Sequence, residues 1–316
     1  MDRGMNRNYE LVIIGAGPAG LSASLYASRY GINHMVIGEI QGGQISETHL
    51  IDNYLGIPDV SGNEFSQKIT KHVKKYGINI FSKKVKNIKK KGEGFEIKIE
   101  GGDTFFSQAI ILATGMEKKQ AGINGEEKFL GKGVSYCATC DGFFYKNKTV
   151  AIVGGGDSAA GAALFLGDIA EKIYLIYRKE KLRAEPWWQE KIKENKKIEI
   201  IYSSLVQEIK GNVVVEKIKI INQKNKKIKE LNMDGIFIEI GHQPKRDLMY
   251  EDIKIIVDED GYIKTDGEGK TNQLGIWAAG DLTTGSNKFK QVITAAAEGA
   301  IATQSVFQYL KKNGNS

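Results

Sequence analysis

The feature that most limits what this chain can fold into is a strand, glycine turn and helix written twice. The first copy runs through YELVIIGAGPAGLSASLYASRYGI, where Leu11 to Ile14 form an apolar run suited to a strand buried on both faces. Gly15, Gly17 and Gly20 follow in G-x-G-x-x-G spacing, with Pro18 and Ala19 inside the motif. The three glycines allow a tight turn, approach of a pyrophosphate and close packing of the helix on the strand. The helix N-terminus then faces the phosphates. A second strand is expected over Asn33 to Ile37, and Glu39 lies near the spacing at which an acidic residue meets a ribose hydroxyl.

The second copy begins with the apolar Thr149 to Val153, passes through GGGDSAAGAALFLGDIA, and ends in another apolar strand, Lys172 to Ile176. Gly154, Gly156 and Ala159 hold the G-x-G-x-x-A positions, with Asp157 and Ser158 between them. A duplicated dinucleotide-binding unit accounts for both copies, and two nucleotide sites imply two redox carriers. Between them, alternating segments at Asn79 to Lys86 and Phe95 to Glu100 predict antiparallel strands, and SQAIILATG returns to a buried strand. Late in the chain LGIWAAGDLTTGS repeats the strand-then-glycine design before an Ala-rich helix over Gln291 to Leu310. In that helix Ala295, Ala296, Ala297 and Ala300 predict close helix packing, and Glu298 is expected at solvent or an interface.

A length of 316 residues suits two domains, and 37 Gly against 4 Pro point to tight turns rather than disorder. No run approaches the roughly 18 apolar residues of a membrane span, and MDRGMNRNYE has no signal-type apolar segment, so the cytoplasm is the expected compartment. The net charge of +7 comes largely from lysine stretches at 83 to 91 and 224 to 229. Both lie beside alternating segments and read as solvated hairpin rims rather than a nucleic-acid surface.

The chain has two cysteines, Cys137 and Cys140, in C-x-x-C spacing. A structural disulfide framework is thereby excluded, and redox chemistry in a reducing compartment is the expected use. Reduction gives two neighbouring thiols, one able to attack a partner disulfide and one to resolve the mixed disulfide. Zinc needs about four ligands, and His34, His49, His72 and His242 are scattered, so no metal is expected.

GAGPAG, GGQ at 42 to 44, ATG at 113 to 115, CATCDGFF at 137 to 144, GGGDSA and AAGD at 278 to 281 together resemble the low-molecular-weight thioredoxin reductases, in the same order and from about Tyr9 to Leu310. The resemblance implies an α/β fold of two Rossmann-like three-layer (ββα) dinucleotide-binding domains, the second inserted into the first. It places an FAD-binding domain at 1–118 and 246–316, and an NAD(P)H-binding domain carrying the cysteine pair at 119–245.

The same resemblance implies electron flow from NADPH through FAD and the Cys137/Cys140 disulfide to thioredoxin or a thioredoxin-like protein, in a homodimer. Cys140 is then nearest the flavin, and Asp141 handles the proton that accompanies exchange. Gln44 and Asn53 face the isoalloxazine, with Gly43, Val85, Thr114 and Gly115 also at the FAD, and Asp281 at its ribityl or phosphate region. Lys290 and Gln291 begin the last helix, and its positive end points at the flavin's pyrimidine edge.

Basic groups distinguish NADPH from NADH, and the second unit offers Tyr177, Arg178, Lys179 and Arg183 where the family has H-R-R-x-x-x-R. Tyr177 and Lys179 are departures from that run. So is Gly161, followed by Ala162, where the family has a glutamate near the nicotinamide. These departures leave open a relative using NADH, ferredoxin or another donor, and a non-catalytic redox-sensing module is a further alternative. Pro186, Trp187 and Trp188 read as packing at a helix start.

Overall fold

A computed structural model describes residues 7–48, 50–245 and 249–313, with backbone alone at 249–251. His49 and residue 246, from which the sequence reading resumes the first domain, lie outside the described residues. The chain divides into two compact units, Met1–Glu117 with Gln243–Ser316, and Lys118–His242.

In the first unit β1 (Asn8–Ile14) leads through the glycine turn into α1 (Pro18–Arg29), then β2 (His34–Ile37), α2 (Gly62–Lys74) and β3 (Ile80–Phe81). A meander of β4 (Val85–Lys91), β5 (Gly94–Ile99) and β6 (Thr104–Leu112) follows. β1 pairs parallel with β2 and β6, whereas β4, β5 and β6 pair antiparallel. Side chains of β1 alternate between two cores: Leu11 and Ile13 pack with α1, and Val12 and Ile14 pack with the meander. That two-sided burial is why the strand reads as an unbroken apolar run.

The segment from Asn79 to Lys86 is not one strand. Ile80 and Phe81 extend the parallel sheet beside β2, and the chain then turns so that Val85 starts the antiparallel pair. The lysine-rich stretch 83–91 is largely β4 itself, with Lys89 and Lys91 paired to Glu96 at 3.1 and 2.9 Å.

Two connecting strands, β7 (Met116–Lys118) and, later, β16 (His242–Pro244), form a two-stranded ribbon. Between them the second unit contains β8 (Val134–Ser135), the short helical turn α3 (Ala138–Asp141), β9 (Thr149–Val153), α4 (Asp157–Gly167), β10 (Lys172–Ile176), α5 (Pro186–Glu194) and β11 (Ile198–Ile201). It is completed by β12 (Ser204–Lys210), β13 (Lys217–Asn222), β14 (Ile228–Asn232) and β15 (Gly235–Ile238). The parallel sheet has the order β11-β10-β9-β15-β8. Val150 and Ile152 pack with α4 on one face, while Ala151 packs with the antiparallel sheet β12-β13-β14 on the other. Helix, sheet and sheet make three layers.

Returning to the first unit, β17 (Met249–Glu251) pairs with β4, β18 (Ile276–Ala278) with β6, and α6 (Val292–Asn313) packs on α1. Ala295 is buried there, but Ala297 is exposed, and the closest approach is at Gly299, where an added Cβ would lie 2.1 Å from Ala19 O. Glu298 is partly exposed and is tied to the loop beside it: its Oε2 accepts Gly280 N–H at 2.8 Å and Thr283 Oγ1–H at 2.9 Å, because the 280–285 loop folds over the helix. No helix among the described residues is long and apolar enough to cross a membrane.

His34, at the start of β2, is 7% exposed, with Nδ1 donating to Ile32 O at 2.9 Å and Nε2 accepting from Ser24 Oγ at 2.8 Å. Burial holds its imidazole below the usual 6.5, although backbone hydrogen bonding at Ile32 and Ser24 opposes this. The unfolded chain therefore binds a proton near pH 6.5 that the folded chain resists, so stability falls as pH drops below that value. The loss from this one group is bounded by about 1.4 kcal/mol per pH unit. Guanidinium unfolding at about pH 7.5 and about pH 5.5 measures it, with a smaller difference in His34→Gln. Equal slopes in the two proteins would remove His34 as the cause.

Candidate active site

The first glycine turn is built by contact with backbone. Gly15 has φ +123°, and a Cβ there would lie 2.0 Å from Ala113 O; a Cβ on Gly20 would lie 1.9 Å from Gly15 O. Gly43 also packs against the turn, its ideal Cβ 2.8 Å from Gly17 Cα. Gly17 caps α1 without a side-chain hydrogen bond, and Pro18 has no N–H. The amides of Ala19 and Gly20 thus have no partner within the helix and suit an anionic ligand. A cradle of bare backbone with a helix N-terminus at its end fits the diphosphate of a dinucleotide such as FAD.

Other positions expected at the FAD gather in the same unit. Asn53 Nδ2 donates to Gln291 Oε1 at 3.0 Å, joining two of them directly. Thr114 and Gly115 follow β6 beside the first glycine turn, and Gln44 lies in the short 3₁₀ turn Gly43–Glu47. Val85 is 6% exposed, inside the hydrophobic core. Asp281 is held above the usual carboxylate range by burial. Lys290 donates to Asp281 O and lies 4.0 Å from the centre of the Tyr262 ring, and burial pushes its ammonium down. Helix α6 begins at Val292, just after Lys290 and Gln291. Glu39 pairs with Lys245.

The second turn repeats the device. Gly154 has φ +156° and an ideal Cβ 2.2 Å from Glu239 O, and Gly156 caps α4 with no side-chain bond. Ala159 is buried beneath the turn, while Asp157 and Ser158 are exposed. The middle glycine, Gly155, is one that motif spacing overlooks. The buried Tyr177 ring lies 2.4 Å from where a Gly155 Cβ would stand, and Gly155 O accepts N–H from Arg183 at 2.6 Å and Ala184 at 3.1 Å. Tyr177 therefore packs the loop, while Arg178, Lys179 and Arg183 are exposed around it. Asp157 Oδ1 accepts Glu185 N–H at 2.8 Å, fixing the start of α5 beside the start of α4. Trp188 from α5 lies 3.6 Å from the ideal Gly161 Cβ, and Trp187 stacks edge-on against Trp188.

Cys137 and Cys140 are joined as a disulfide across α3. Cys140 is exposed and Cys137 half-buried. Cys137 Sγ accepts Cys140 N–H at 3.1 Å, and Asp141 Oδ2 accepts the Ser135 hydroxyl at 2.7 Å. Immediately before the pair, Tyr136 donates its hydroxyl to Glu126, a 5%-exposed carboxylate that also accepts N–H from Ala121 and Ile123. Burial first, then Glu126, raises the Tyr136 phenol above the ordinary tyrosine range. Sequence spacing had no signal for Ser135, Glu126 or Tyr136, because each contact depends on how the turn closes.

Residues 9–299 match the model of the pyridine nucleotide-disulphide oxidoreductases. The chain belongs to that family. Its relatives include a thioredoxin reductase of Helicobacter pylori, 41% identical over 309 residues, which cover 96% of this chain and 99% of the relative. Among solved structures, a Lactococcus lactis thioredoxin reductase superposes with TM-score 0.91 at 35% identity, covering 96% of this chain and 99% of that one. A ferredoxin-flavin thioredoxin reductase of Clostridium acetobutylicum gives TM-score 0.52 at 33% identity, covering 96% and 99%. The family is one of oxidoreductases that use flavin and nicotinamide nucleotides, which agrees with two glycine turns and a C-x-x-C pair in one chain.

Proposed function

We propose that this chain is a thioredoxin-disulfide reductase, with FAD in the first unit, NADPH on the second, and a thioredoxin-like protein as the disulfide substrate. The observation that carries the reading is the Cys137–Cys140 disulfide in an exposed turn, with Asp141 fixed beside it, in a chain having two dinucleotide-type turns. The domain assignment is 1–118 with 246–316 for FAD and 119–245 for the nicotinamide nucleotide; a cytoplasmic homodimer completes it.

In the first unit the backbone around Gly15, Gly17 and Gly20 would hold the FAD diphosphate, with Asn53, Asp281 and Gln291 toward the rest of the molecule. Bound there, the flavin supplies a two-electron relay between a nicotinamide hydride and sulfur. The protein's own chemistry is thiol exchange. The Cys137 thiolate attacks a sulfur of the substrate disulfide, making a mixed disulfide and releasing one substrate thiolate. Cys140 then attacks Cys137 Sγ, re-forming the internal disulfide and releasing the second substrate thiolate. Asp141 takes the Cys140 thiol proton and returns one to the leaving sulfur. The substrate gains the two electrons that the cysteine pair loses; one of its two protons comes from Cys140 through Asp141 and the other from solvent.

Arg178, Lys179 and Arg183 favour NADPH, since three exposed cations suit an extra phosphate. Two observations favour a second reading with NADH, ferredoxin or another donor: Gly161 brings no carboxylate and is covered by Trp188, and Tyr177 is consumed in packing. Anaerobic titration of the flavin-loaded protein separates them. We expect NADPH to bleach the oxidised-flavin band at concentrations about tenfold or more below NADH. Bleaching by neither nucleotide leaves the second reading, and a protein unable to take up FAD would end both.

A further inference from the structure

We propose that Ser135 is a positioning residue that couples the protonation of Asp141 to the backbone carrying Cys137. The inference rests on the disulfide-reductase reading above. Ser135 ends β8 and is 4% exposed, so its hydroxyl is served by protein groups rather than by bulk water. Three partners surround it. Ser135 Oγ lies 2.7 Å from Asp141 Oδ2 and 3.3 Å from Cys137 O, and it accepts the Cys137 N–H at 3.0 Å.

One hydroxyl proton cannot serve two acceptors at once. With Asp141 charged, the proton goes to Oδ2, the nearer and the charged one. With Asp141 protonated, the carboxyl O–H donates to the second lone pair of Ser135 Oγ, and the serine proton turns to Cys137 O. Both states are therefore fully bonded, and the change between them is rotation of one hydroxyl. The arrangement lets Asp141 exchange a proton beside the sulfur pair without moving the turn. The Asp141 N–H, donating to Cys137 O at 3.2 Å, holds the ring of contacts closed.

The surroundings single out this switch. On its own turn Asp141 faces Cys137 and Cys140. On the following turn it faces Tyr145, whose phenol is raised first by burial and then by the charges of Asp141 and Asp234. Lys148 sits over that phenol ring at 5.8 Å. α4 contributes uncharged Phe165 and Leu166 against Gly142, and β15 sets Ile236 and Phe237 beside Val134 and Ser135. Ser135 is thus the neutral polar side chain that both answers Asp141 and touches the Cys137 backbone.

The test compares the pH dependence of thioredoxin-disulfide turnover in the flavin-loaded Ser135→Ala, Ser135→Thr and Asp141→Asn proteins. Removing the donor disfavours the charged carboxylate, so the limb that vanishes in Asp141→Asn moves to higher pH by about one unit in Ser135→Ala. Ser135→Thr keeps the hydroxyl and keeps the original profile. An unmoved Ser135→Ala profile, or a Ser135→Thr profile shifted as far as that of Ser135→Ala, overturns the coupling. If Asp141→Asn itself leaves the profile intact, the proton-handling reading fails and takes the coupling with it. Activity surviving in Cys137→Ser would show instead that the disulfide-reductase reading is at fault.

Discussion

Cys137→Ser and Cys140→Ser are each expected to lower disulfide turnover by about a thousandfold or more, to the level of the uncatalysed exchange, while flavin content stays normal. Serine's hydroxyl is a far weaker nucleophile and cannot form the S–S bond that both half-reactions need. The FAD cradle belongs to the first unit and the pair to the second, so neither change replaces a residue assigned to flavin binding. The two variants are distinguishable by what they retain. Cys140→Ser keeps an attacking sulfur and loses the resolving one, so it should trap thioredoxin as a stoichiometric mixed disulfide, released by a small thiol. Cys137→Ser should trap none. Exposure alone would nominate Cys140 as the attacker, since Cys137 is half-buried in the disulfide state. An adduct on Cys137→Ser in place of Cys140→Ser would exchange the two roles, and normal turnover in either variant would end the reductase reading.

The parts of the fold that can be read from the linear chain are those in which one residue type answers one local demand. Gly15 and Gly154 are legible because a positive φ facing a backbone carbonyl admits no side chain, and the strand and helix on either side announce the turn. The strands Thr149–Val153 and Lys172–Ile176 fall where the sequence puts them, since a parallel strand covered on both faces reads as a mainly apolar run beyond its first residue. Where the chain turns by tertiary demand, the reading is coarser. Asn79 to Lys86 alternates smoothly, yet Lys83 and Lys84 pass between a parallel pairing and an antiparallel one.

The site divides in the same way. Cys137 and Cys140 are conspicuous as the chain's two cysteines, and the basic Arg178, Lys179 and Arg183 after β10 are exposed. Glu298 illustrates the limit. Helical periodicity assigns it to a polar face, and only the return of the 280–285 loop supplies the amide and hydroxyl that it accepts. Tyr177 illustrates another: it stands in a run of basic residues, but Gly155 leaves a hollow that its ring fills. Ser135 and Asp141 are six residues apart across a turn, a separation with no periodic signature, so their hydrogen bond becomes visible only in the folded chain.

Gly15→Ala is expected to yield a protein without flavin and destabilised by about 4 kcal/mol or more. Two costs combine. An alanine at φ +123° is conformationally strained, and its methyl would sit 2.0 Å from Ala113 O and 2.4 Å from Ala113 C, both backbone atoms of the loop after β6. Backbone cannot rotate aside as a side chain does, so β1 or the loop must move, and with it the amides offered to the diphosphate. Gly31→Ala isolates the first cost, because Gly31 has φ +70° with nothing within 4 Å of its ideal Cβ; it should lose only about 1 kcal/mol and keep its flavin. Gly154→Ala isolates location: its Cβ would meet Glu239 O at 2.2 Å, a comparable clash in the other unit. That variant should bind flavin yet respond poorly to NADPH. The ratio of flavin to protein absorbance, read beside thermal unfolding, ranks all three. A Gly15→Ala protein as yellow as the parent would mean that the first glycine turn does not carry the flavin, however well its backbone suits a diphosphate.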